Sequence, residues 1–179
     1  MIASDLESPT LDTDRLLLRR PQPDDLRPLA RVANSWAVAR QTEALPHPFT
    51  LDHARAWTDG GSPQDWRFVL AERETGTLVG ALGIFVRHDD WEVGFWVAKP
   101  QWNNGFATEA ARAATCFAFD TLNVAKLTAA CFPDNKAAAR VLEKVGFVHL
   151  GELPEFLPER GGKRFLSWFV LDRANLVRP

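Results

Sequence analysis

Two short segments of the sequence combine residue types that bind anions and small polar ligands. The first, residues 102–110, reads WNNGFATEA. It follows an alternating apolar run and opens a helical pattern, and the first four N–H groups of a helix have no intrahelical partner. Aligned peptide dipoles add positive charge there, and Gly105 has no Cβ to hold a phosphate away. The segment therefore predicts a pyrophosphate site, although alone it more often forms an ordinary turn and helix cap.

The second segment, residues 135–147, reads NKAAARVLEKVGF. Asn135 predicts a helix N-cap, and its carboxamide can face a ligand at the same time. Gly146 followed by Phe147 is typical of a helix end that leads into a strand. Neither feature alone indicates more than local structure. Because both segments follow successive predicted strands, their combination favours a shared ligand site.

Three further stretches complete a family pattern. They read LDTDRLLLR at residues 11–19, LVG at 78–80 and EVGFWV at 92–97. With the two segments above, they resemble the GNAT N-acetyltransferases, in particular the ribosomal-protein N-terminal acetyltransferase (RimJ/RimL-like) branch. The resemblance covers residues 11–171. It implies an N-acetyltransferase that uses acetyl-CoA as acetyl-donor cosubstrate and no metal.

The resemblance also implies which residues contact the cofactor. The branch commonly has Gly where this chain has Asn103, a residue that tolerates left-handed backbone geometry better than most. Trp96, Val97 and Ala98 are expected to offer backbone groups to the pantetheine arm, as an added strand would. Asn135 is expected to bond the pantetheine chain. The remaining expected contacts are the rest of the pyrophosphate loop and one phosphate candidate, namely Trp102, Asn104, Gly105, Phe106, Ala107, Thr108 and Arg140.

Acetyl transfer to an amine requires a neutral amine, a stabilised carbonyl oxygen and a leaving thiolate. The predicted catalytic residues are Glu92, as the base, and Val97, whose strand offers a backbone N–H to the oxyanion. Glu92 is favoured because its strand leads to the cofactor, although a polar residue of a half-exposed strand would look the same. Lower-ranking candidates for the base, besides ordered water, are His88, Asp90, Glu155 and Glu159.

The group that protonates the leaving thiolate is not evident from the sequence. Many family members use a Tyr, and this chain contains none. The branch often has Ser three residues after the motif Asn, where this chain has Ala138. Water is one candidate for the acid. The alternative interpretation is a CoA-binding sensor or partner protein with little catalytic turnover. A nucleotide-binding α/β protein is a third, but no P-loop or Rossmann fingerprint supports it.

The acceptor is expected to lie against the first helices and a late Pro-rich loop. An acidic side chain there could attract a cationic amine, whereas aromatic side chains more often pack the core. The sequence does not distinguish a protein N-terminal amine from a small-molecule amine. The candidates for acceptor binding are Trp36, Glu43, His47, Phe49, Glu155 and Phe156.

Hydrophobic periodicity predicts the elements that must position these residues. Strands are predicted at 15–19, 66–71, 78–86, 91–98, 126–132, 147–153 and 165–171, and helices from about 23, 51, 106 and 136. Short turns join the early strands, which favours antiparallel pairing. The order predicts an α/β fold with a mixed, mostly antiparallel central sheet flanked by helices, the GNAT acyl-CoA N-acyltransferase fold. Residues 1–13 are interpreted as a leader and residues 14–179 as a single domain.

Composition narrows the class of protein. The 179 residues fit one domain, and the net charge of −2 implies no general affinity for nucleic acid. Cys116 and Cys131 are predicted to be free thiols rather than a bridge or a metal pair, which indicates a reducing compartment. The chain shows no membrane-spanning apolar run and no signal peptide pattern. We therefore expect a cytoplasmic protein without membrane or nucleic-acid partners, with a homodimer left open.

Overall fold

One mixed sheet organises the protein in a computed structural model that describes residues 9–87 and 89–178. The strands are Leu11–Asp12 (β1), Leu16–Arg19 (β2), Trp66–Glu72 (β3), Leu78–Arg87 (β4), Asp90–Val97 (β5), Lys126–Cys131 (β6), Val148–Leu157 (β7) and Gly162–Asp172 (β8). Their order across the sheet is β1-β2-β3-β4-β5-β6-β8-β7. Neighbouring strands are antiparallel except β5 and β6, which run parallel. The predicted mixed, mostly antiparallel sheet is confirmed.

The predicted leader overlaps the first strand. Its residues 1–8 lie outside the described residues, as does His88. Leu11 and Asp12 form β1 and pair with Leu18 and Leu17 of β2. The sheet therefore begins inside the stretch that the sequence assigned to the leader.

The α-helices in the described residues are Leu26–Ala33 (α1), Trp36–Ala39 (α2), Leu51–Asp59 (α3), Phe106–Asp120 (α4) and Lys136–Val145 (α5). Thr50 caps α3, because its hydroxyl accepts the N–H of His53. The four-residue helix α2 was not predicted, since one turn is too short to show a hydrophobic period.

Helices cover both faces of the sheet. Successive residues of β3 point to opposite faces, so Phe68 packs with α4 while Val69 packs with α1 and α3. The apolar face of α4 is buried, and the Phe117 ring lies 6.0 Å from that of Phe68. Apolar burial on both faces is what makes a central sheet of this kind stable.

The last two strands are longer than predicted. Pro154 suggested a loop, yet it lies within β7 and pairs with Phe165 of β8. Because β7 is the edge strand, the missing N–H of a proline leaves no partner unsatisfied there. The extension places Glu155 on a strand rather than in a Pro-rich loop.

Candidate active site

Strands β5 and β6 separate soon after they begin to pair. Glu92 opposite Thr128 is the one paired position between them in the described part of the chain. Beyond it, β5 continues to Val97 and β6 to Cys131 without further pairing. A gap therefore opens between two parallel strands in the middle of the sheet. Main-chain groups of β5 on this side are left for another partner, because backbone polar groups require hydrogen bonds.

Trp96 and Ala98, which were predicted to offer backbone groups to a ligand, turn those groups away from the gap. The N–H of Ala98 donates to the carbonyl of Val79 at 2.7 Å. Hydrogen-bonded pairs alternate along an antiparallel ladder, so Trp96 and its partner Ala81 also exchange main-chain hydrogen bonds. This part of the predicted backbone contact therefore has to come from their neighbours.

Phe95 and Val97 are the residues whose main-chain groups face the gap. The same alternation directs the carbonyl of Trp91 toward β6, where it accepts the hydroxyl of Thr128 at 3.1 Å. The carbonyl of Val97 accepts the indole N–H of Trp102 at 2.7 Å. Trp102 thus ties the loop after β5 to the end of that strand.

The loop before α4 has the backbone geometry of an anion-binding turn. Gly105, the N-cap of α4, has a φ of 82°, and Asn103 has a φ of 64°. Glycine adopts this left-handed region without penalty, and Asn adopts it more readily than most residues. That tolerance accounts for Asn103 at a position where the family commonly has Gly. The first N–H groups of α4 follow directly, as an anion site requires.

A cleft of about 820 Å³ lies beside α3. A volume of this size suits a small organic ligand. The cross-strand pair Gly83 and Gly94 belongs to its lining, together with the ring of Phe85. A Cβ at Gly83 would overlap that ring, so glycine is needed for Phe85 to lie there. The predicted site residues that line the cleft are Glu43, Phe49, Glu92, Trp96 and Asn135.

Asn135 joins the start of α5 to the segment between α2 and α3. Its Oδ1 accepts the N–H of Ala138 at 3.1 Å, which confirms the predicted cap. Its Nδ2 donates to the carbonyl of Gln41 at 3.2 Å. An amide nitrogen carries two N–H donors, so one remains for a ligand in the cleft.

Glu92 is only 7 % exposed, so it is a buried carboxylate rather than part of a half-exposed strand. Burial, with a further contribution from the Glu43 carboxylate, raises its pKa to about 7 against the opposing effect of Arg87. A carboxylate works best as a general base when its pKa lies near the working pH. The physical state of Glu92 is therefore the one that proton transfer near neutrality requires.

Arg87 lines this cleft, and its guanidinium contacts three carboxylates, of which Glu43 and Glu92 also line the cleft. Arg87 Nη1 lies 2.8 Å from Glu43 Oε2 and 3.4 Å from Glu92 Oε1. Arg87 Nη2 lies 3.4 Å from Glu155 Oε1. Glu43, Glu92 and Glu155, three predicted site residues from separate parts of the sequence, are thus brought together.

Other predicted residues lie away from the cleft. Trp36 is 60 % exposed, with its ring 5.7 Å from that of His47, and Phe156 is 70 % exposed on β7. None of these three is among the described residues that line the cleft. Arg140 is exposed on α5, and its role in phosphate binding stays a prediction, as do the acceptor roles of Trp36, His47 and Phe156. Glu159, a lower-ranking candidate for the base, does line the cleft.

Arg87 was missed by the sequence reasoning, although a signal for it exists. Arg87 lies opposite Asp90 in the β4–β5 hairpin. Side chains of a strand alternate between faces, so Arg87 must share a face with Glu92. A basic residue beside the proposed base could therefore have been found from the hairpin alone.

Arg160 was also missed, and no local signal points to it. Its guanidinium donates to the carbonyls of Ala39 at 2.6 Å, Thr42 at 2.8 Å and Leu45 at 2.8 Å. These carbonyls belong to the segment that carries Glu43. Arg160 therefore fixes the wall of the cleft across a separation of 118 residues from Thr42.

Within residues 9–87 and 89–178, no group of three or more His, Cys, Asp or Glu side chains could hold a metal ion. Cys116 and Cys131 are free thiols, as predicted, and burial raises the pKa of Cys131 to about 11. In the same part of the chain, no helix combines the length and the apolar character needed to cross a membrane.

Residues 15–148 match the acetyltransferase (GNAT) domain family. The chain is also 28% identical over 161 residues to the uncharacterized N-acetyltransferase YoaA of Bacillus subtilis, with 86% of this chain and 90% of that protein covered.

Solved structures show the same fold. A GNAT-family acetyltransferase from Bacillus anthracis superposes with a TM-score of 0.79 at 20% identity, covering 92% of this chain and 98% of that one. RimJ of Mycobacterium smegmatis, solved in complex with CoA-disulfide, gives a TM-score of 0.77 at 22% identity, covering 91% of this chain and 84% of that one.

Proposed function

The chain belongs to the GNAT acetyltransferase family and is an N-acetyltransferase, and from that premise we propose that it moves an acetyl group from acetyl-CoA to a primary amine by direct attack in a ternary complex. The acceptor is a protein N-terminal amine or a small-molecule amine. One observation carries this proposal. A single strand, β5, holds a buried carboxylate beside the cleft and leads, past the gap toward β6, to a left-handed turn and a helix N-terminus.

The residues at the far end of β5 fit the chemical groups of acetyl-CoA. The turn at Gly105 and the N–H groups at the start of α4 would hold the pyrophosphate. The main-chain groups of Phe95 and Val97 and the free amide hydrogen of Asn135 would hydrogen-bond the pantetheine arm. Backbone groups recognise such an extended arm as they would an added strand.

The proposed chemistry begins at Glu92, which accepts a proton from the acceptor ammonium, directly or through one ordered water. The neutral nitrogen then attacks the thioester carbonyl carbon, so that an N–C bond forms, the C–S bond breaks and the nitrogen releases its second proton to water. The N–H of Phe95, about 10 Å along β5 from Glu92, stabilises the carbonyl oxygen. Val97 lies a further ~7 Å away. We therefore assign the oxyanion role, which was predicted for Val97, to Phe95.

The thiolate leaves without an evident protein acid. The chain contains no Tyr, and Ala138 lines the cleft where a hydroxyl is common in the branch. We assign the proton to water, because a thiol of ordinary pKa near 8.5 gives a competent leaving group. The same observation favours the second candidate function, a CoA-binding sensor or partner protein with little turnover.

The finer assignments are also proposals. We place the chain in the RimJ/RimL-like branch because its opening motif and pyrophosphate loop resemble that branch, and because RimJ of Mycobacterium smegmatis shares the fold. We also propose a cytoplasmic location, the use of no metal, and a homodimer.

Two measurements test the proposal. Calorimetry should show acetyl-CoA binding in the low-micromolar range or somewhat weaker, on the order of −7 to −8 kcal/mol. CoA release should then be measured with a panel of monoamines, diamines and peptides with free N-termini. Release with any amine supports the enzyme, whereas binding without release from the whole panel supports the sensor. Binding of NAD or ATP with no heat from CoA would overturn both.

A further inference from the structure

Arg87 occupies a position that nothing in the proposed chemistry yet explains. Its guanidinium touches carboxylates from three elements, namely Glu43 between α2 and α3, Glu92 on β5 and Glu155 on β7. The side chains of these carboxylates are 16%, 10% and 20% exposed. Three carboxylates this poorly hydrated repel one another unless a cation lies between them.

We propose that Arg87 is the positioning residue of the acceptor site, which holds Glu92 in its working geometry and ionised form and fixes it to the Glu43 segment and to β7. This inference rests on the proposed role of Glu92 as the base. Arg87 itself touches neither acetyl-CoA nor the reacting amine in this assignment. It acts through the carboxylates that it gathers.

The geometry supports a single guanidinium rather than a simple point charge. Nη1 contacts both Glu43 and Glu92, while Nη2 contacts Glu155. The planar fork of arginine can serve several carboxylates at fixed angles, whereas a lysine ammonium is a compact charge on a flexible stem. Lysine at this position should therefore restore part of the function by its charge but lose the geometry.

The groups around Glu92 come from every element packed near it. Arg87 reaches it from β4, Glu43 from the α2–α3 segment and Glu155 from β7. On β6, Thr128 pairs with Glu92, and Cys131 lines the same cleft with a thiol that stays neutral at physiological pH. Arg87 is thus the one cation in contact with Glu92 among the described residues. Its removal leaves Glu92 beside two other carboxylates.

The test compares Arg87→Gln and Arg87→Lys with the wild type. Rates of CoA release, with kcat and KM separated, are measured between about pH 6 and 9, where a base of this kind titrates. Loss of the cation should raise the pKa of Glu92, so the rise of kcat with pH should move upward by about one pH unit or more. At pH 7, where a base of pKa about 7 is half ionised, this shift alone gives a loss of about fivefold or more, which shrinks as pH rises. The midpoint of the rise of kcat with pH in Arg87→Lys should lie between those of the wild type and Arg87→Gln.

Two controls separate positioning from general damage. Arg73→Gln removes the same charge from an arginine paired with Asp12 at the far edge of the sheet, and it should leave the pH profile unchanged. Acetyl-CoA affinity of Arg87→Gln should change less than about twofold, because the site of the pyrophosphate is untouched. An Arg87→Gln protein whose kcat falls equally at every pH, or whose midpoint equals that of the wild type, overturns the proposal.

A second readout does not depend on turnover. The melting temperature Tm of the wild type should fall with rising pH from the ordinary carboxyl pKa of 4.5 until Glu92 itself ionises near pH 7. In Arg87→Gln this fall should extend to higher pH and be larger. If the wild type binds acetyl-CoA but acetylates no amine, the proposed function fails while this shift still tests Arg87. If Arg87→Gln does not fold, Arg87→Lys is tested alone and in the Glu92→Gln background. A kinetic effect of Arg87→Lys that is undiminished without Glu92 would then contradict the proposal.

Discussion

Arg15, directly before β2, forms an ion pair with Glu109 in the first turn of α4. Arg15 Nε donates to Glu109 Oε2 at 2.8 Å, the backbone N–H of Arg15 donates to Oε1 at 2.8 Å, and Arg15 Nη2 lies 2.6 Å from Oε2. Arg15 Nη1 also donates to the carbonyl of Asn104 at 2.9 Å, and its guanidinium lies 4.9 Å from the centre of the Phe106 ring. One arginine therefore links the proposed pyrophosphate loop to the helix that follows it.

This contact explains why the family pattern includes both the opening motif at residues 11–19 and the run at 107–110. Thr13 donates its hydroxyl to Glu109 Oε1 at 2.7 Å, beside Arg15. The opening motif and the Ala-Thr-Glu-Ala run after the loop thus meet in space, although 94 residues separate Arg15 from Glu109. Their shared role is to set the backbone of the loop.

Arg15→Gln should weaken acetyl-CoA binding about fivefold. The side chain is half exposed, so the lost ion pair is worth only about 1 kcal/mol, but the loop also loses the donor that fixes the Asn104 carbonyl. Calorimetry of acetyl-CoA binding measures the effect. Arg55→Gln, which removes an exposed arginine from α3, is the matched control and should bind normally. A lower Tm with unchanged affinity would limit Arg15 to a structural role.

Gly105→Val should abolish cofactor binding and leave the fold largely intact. A branched side chain is strained at a φ of 82°, and its Cβ would lie 3.3 Å from Arg15 Nη2, where the loop must approach phosphate. Gly76→Val is the control, because Gly76 has a φ of 70° but no atom within 4 Å of an added Cβ. Both variants should lose Tm, and only the first should lose affinity. Normal CoA affinity in Gly105→Val would show that the phosphate does not bind at this turn.

Glu92→Gln should lower kcat at neutral pH by about 100-fold or more with little change in acetyl-CoA affinity. The pKa of Glu92 near 7 means that the wild-type rate should rise with pH through that value as the carboxylate ionises. The variant should lack this rise and recover only at high pH, where the free amine is abundant. Glu152→Gln on the exposed face of β7 serves as the control. Full activity of Glu92→Gln would transfer the role to Glu155, Glu159 or water.

Glu92 should also make stability depend on pH. Its pKa is about 7 in the folded protein and near the ordinary 4.5 in the unfolded chain. Between these values the unfolded chain has released a proton that the folded chain retains, so the free energy of unfolding falls as pH rises through this window. Glu92→Gln removes the effect, and its Tm relative to wild type should increase between about pH 5 and 8. A Tm difference that stays constant with pH would show that Glu92 is ionised throughout.

Ala138→Ser should raise kcat if thiolate protonation limits turnover. Ala138 lies in the first turn of α5 and lines the cleft, and a hydroxyl adds one oxygen with little steric cost. A charge-assisted hydrogen bond to the leaving thiolate is worth ~1.5–3 kcal/mol. That corresponds to roughly 10- to 150-fold in rate. Single-turnover CoA release checks it, with the exposed Ala137→Ser as control. An unchanged kcat with intact binding would leave water as the acid.

The sequence by itself determined the local parts of the site, because their signals lie within a few residues. Gly105 before a helical pattern and Asn135 before another indicated the turn and the cap that the structure contains. Alternation from Trp91 to Val97 indicated the strand that carries Glu92. Hydrophobic period and capping act over one or two turns of chain, so one sequence is enough to read them.

Only the tertiary structure decided which groups surround Glu92 and therefore how it ionises. Glu43 and Glu155 reach Arg87 from 44 and 68 residues away, and no local pattern encodes those separations. The backbone groups that face the gap depend on the register between β4 and β5, which moved the proposed contact from Trp96 to Phe95. A pKa follows from burial and from neighbouring charges, and both exist only once distant segments pack together.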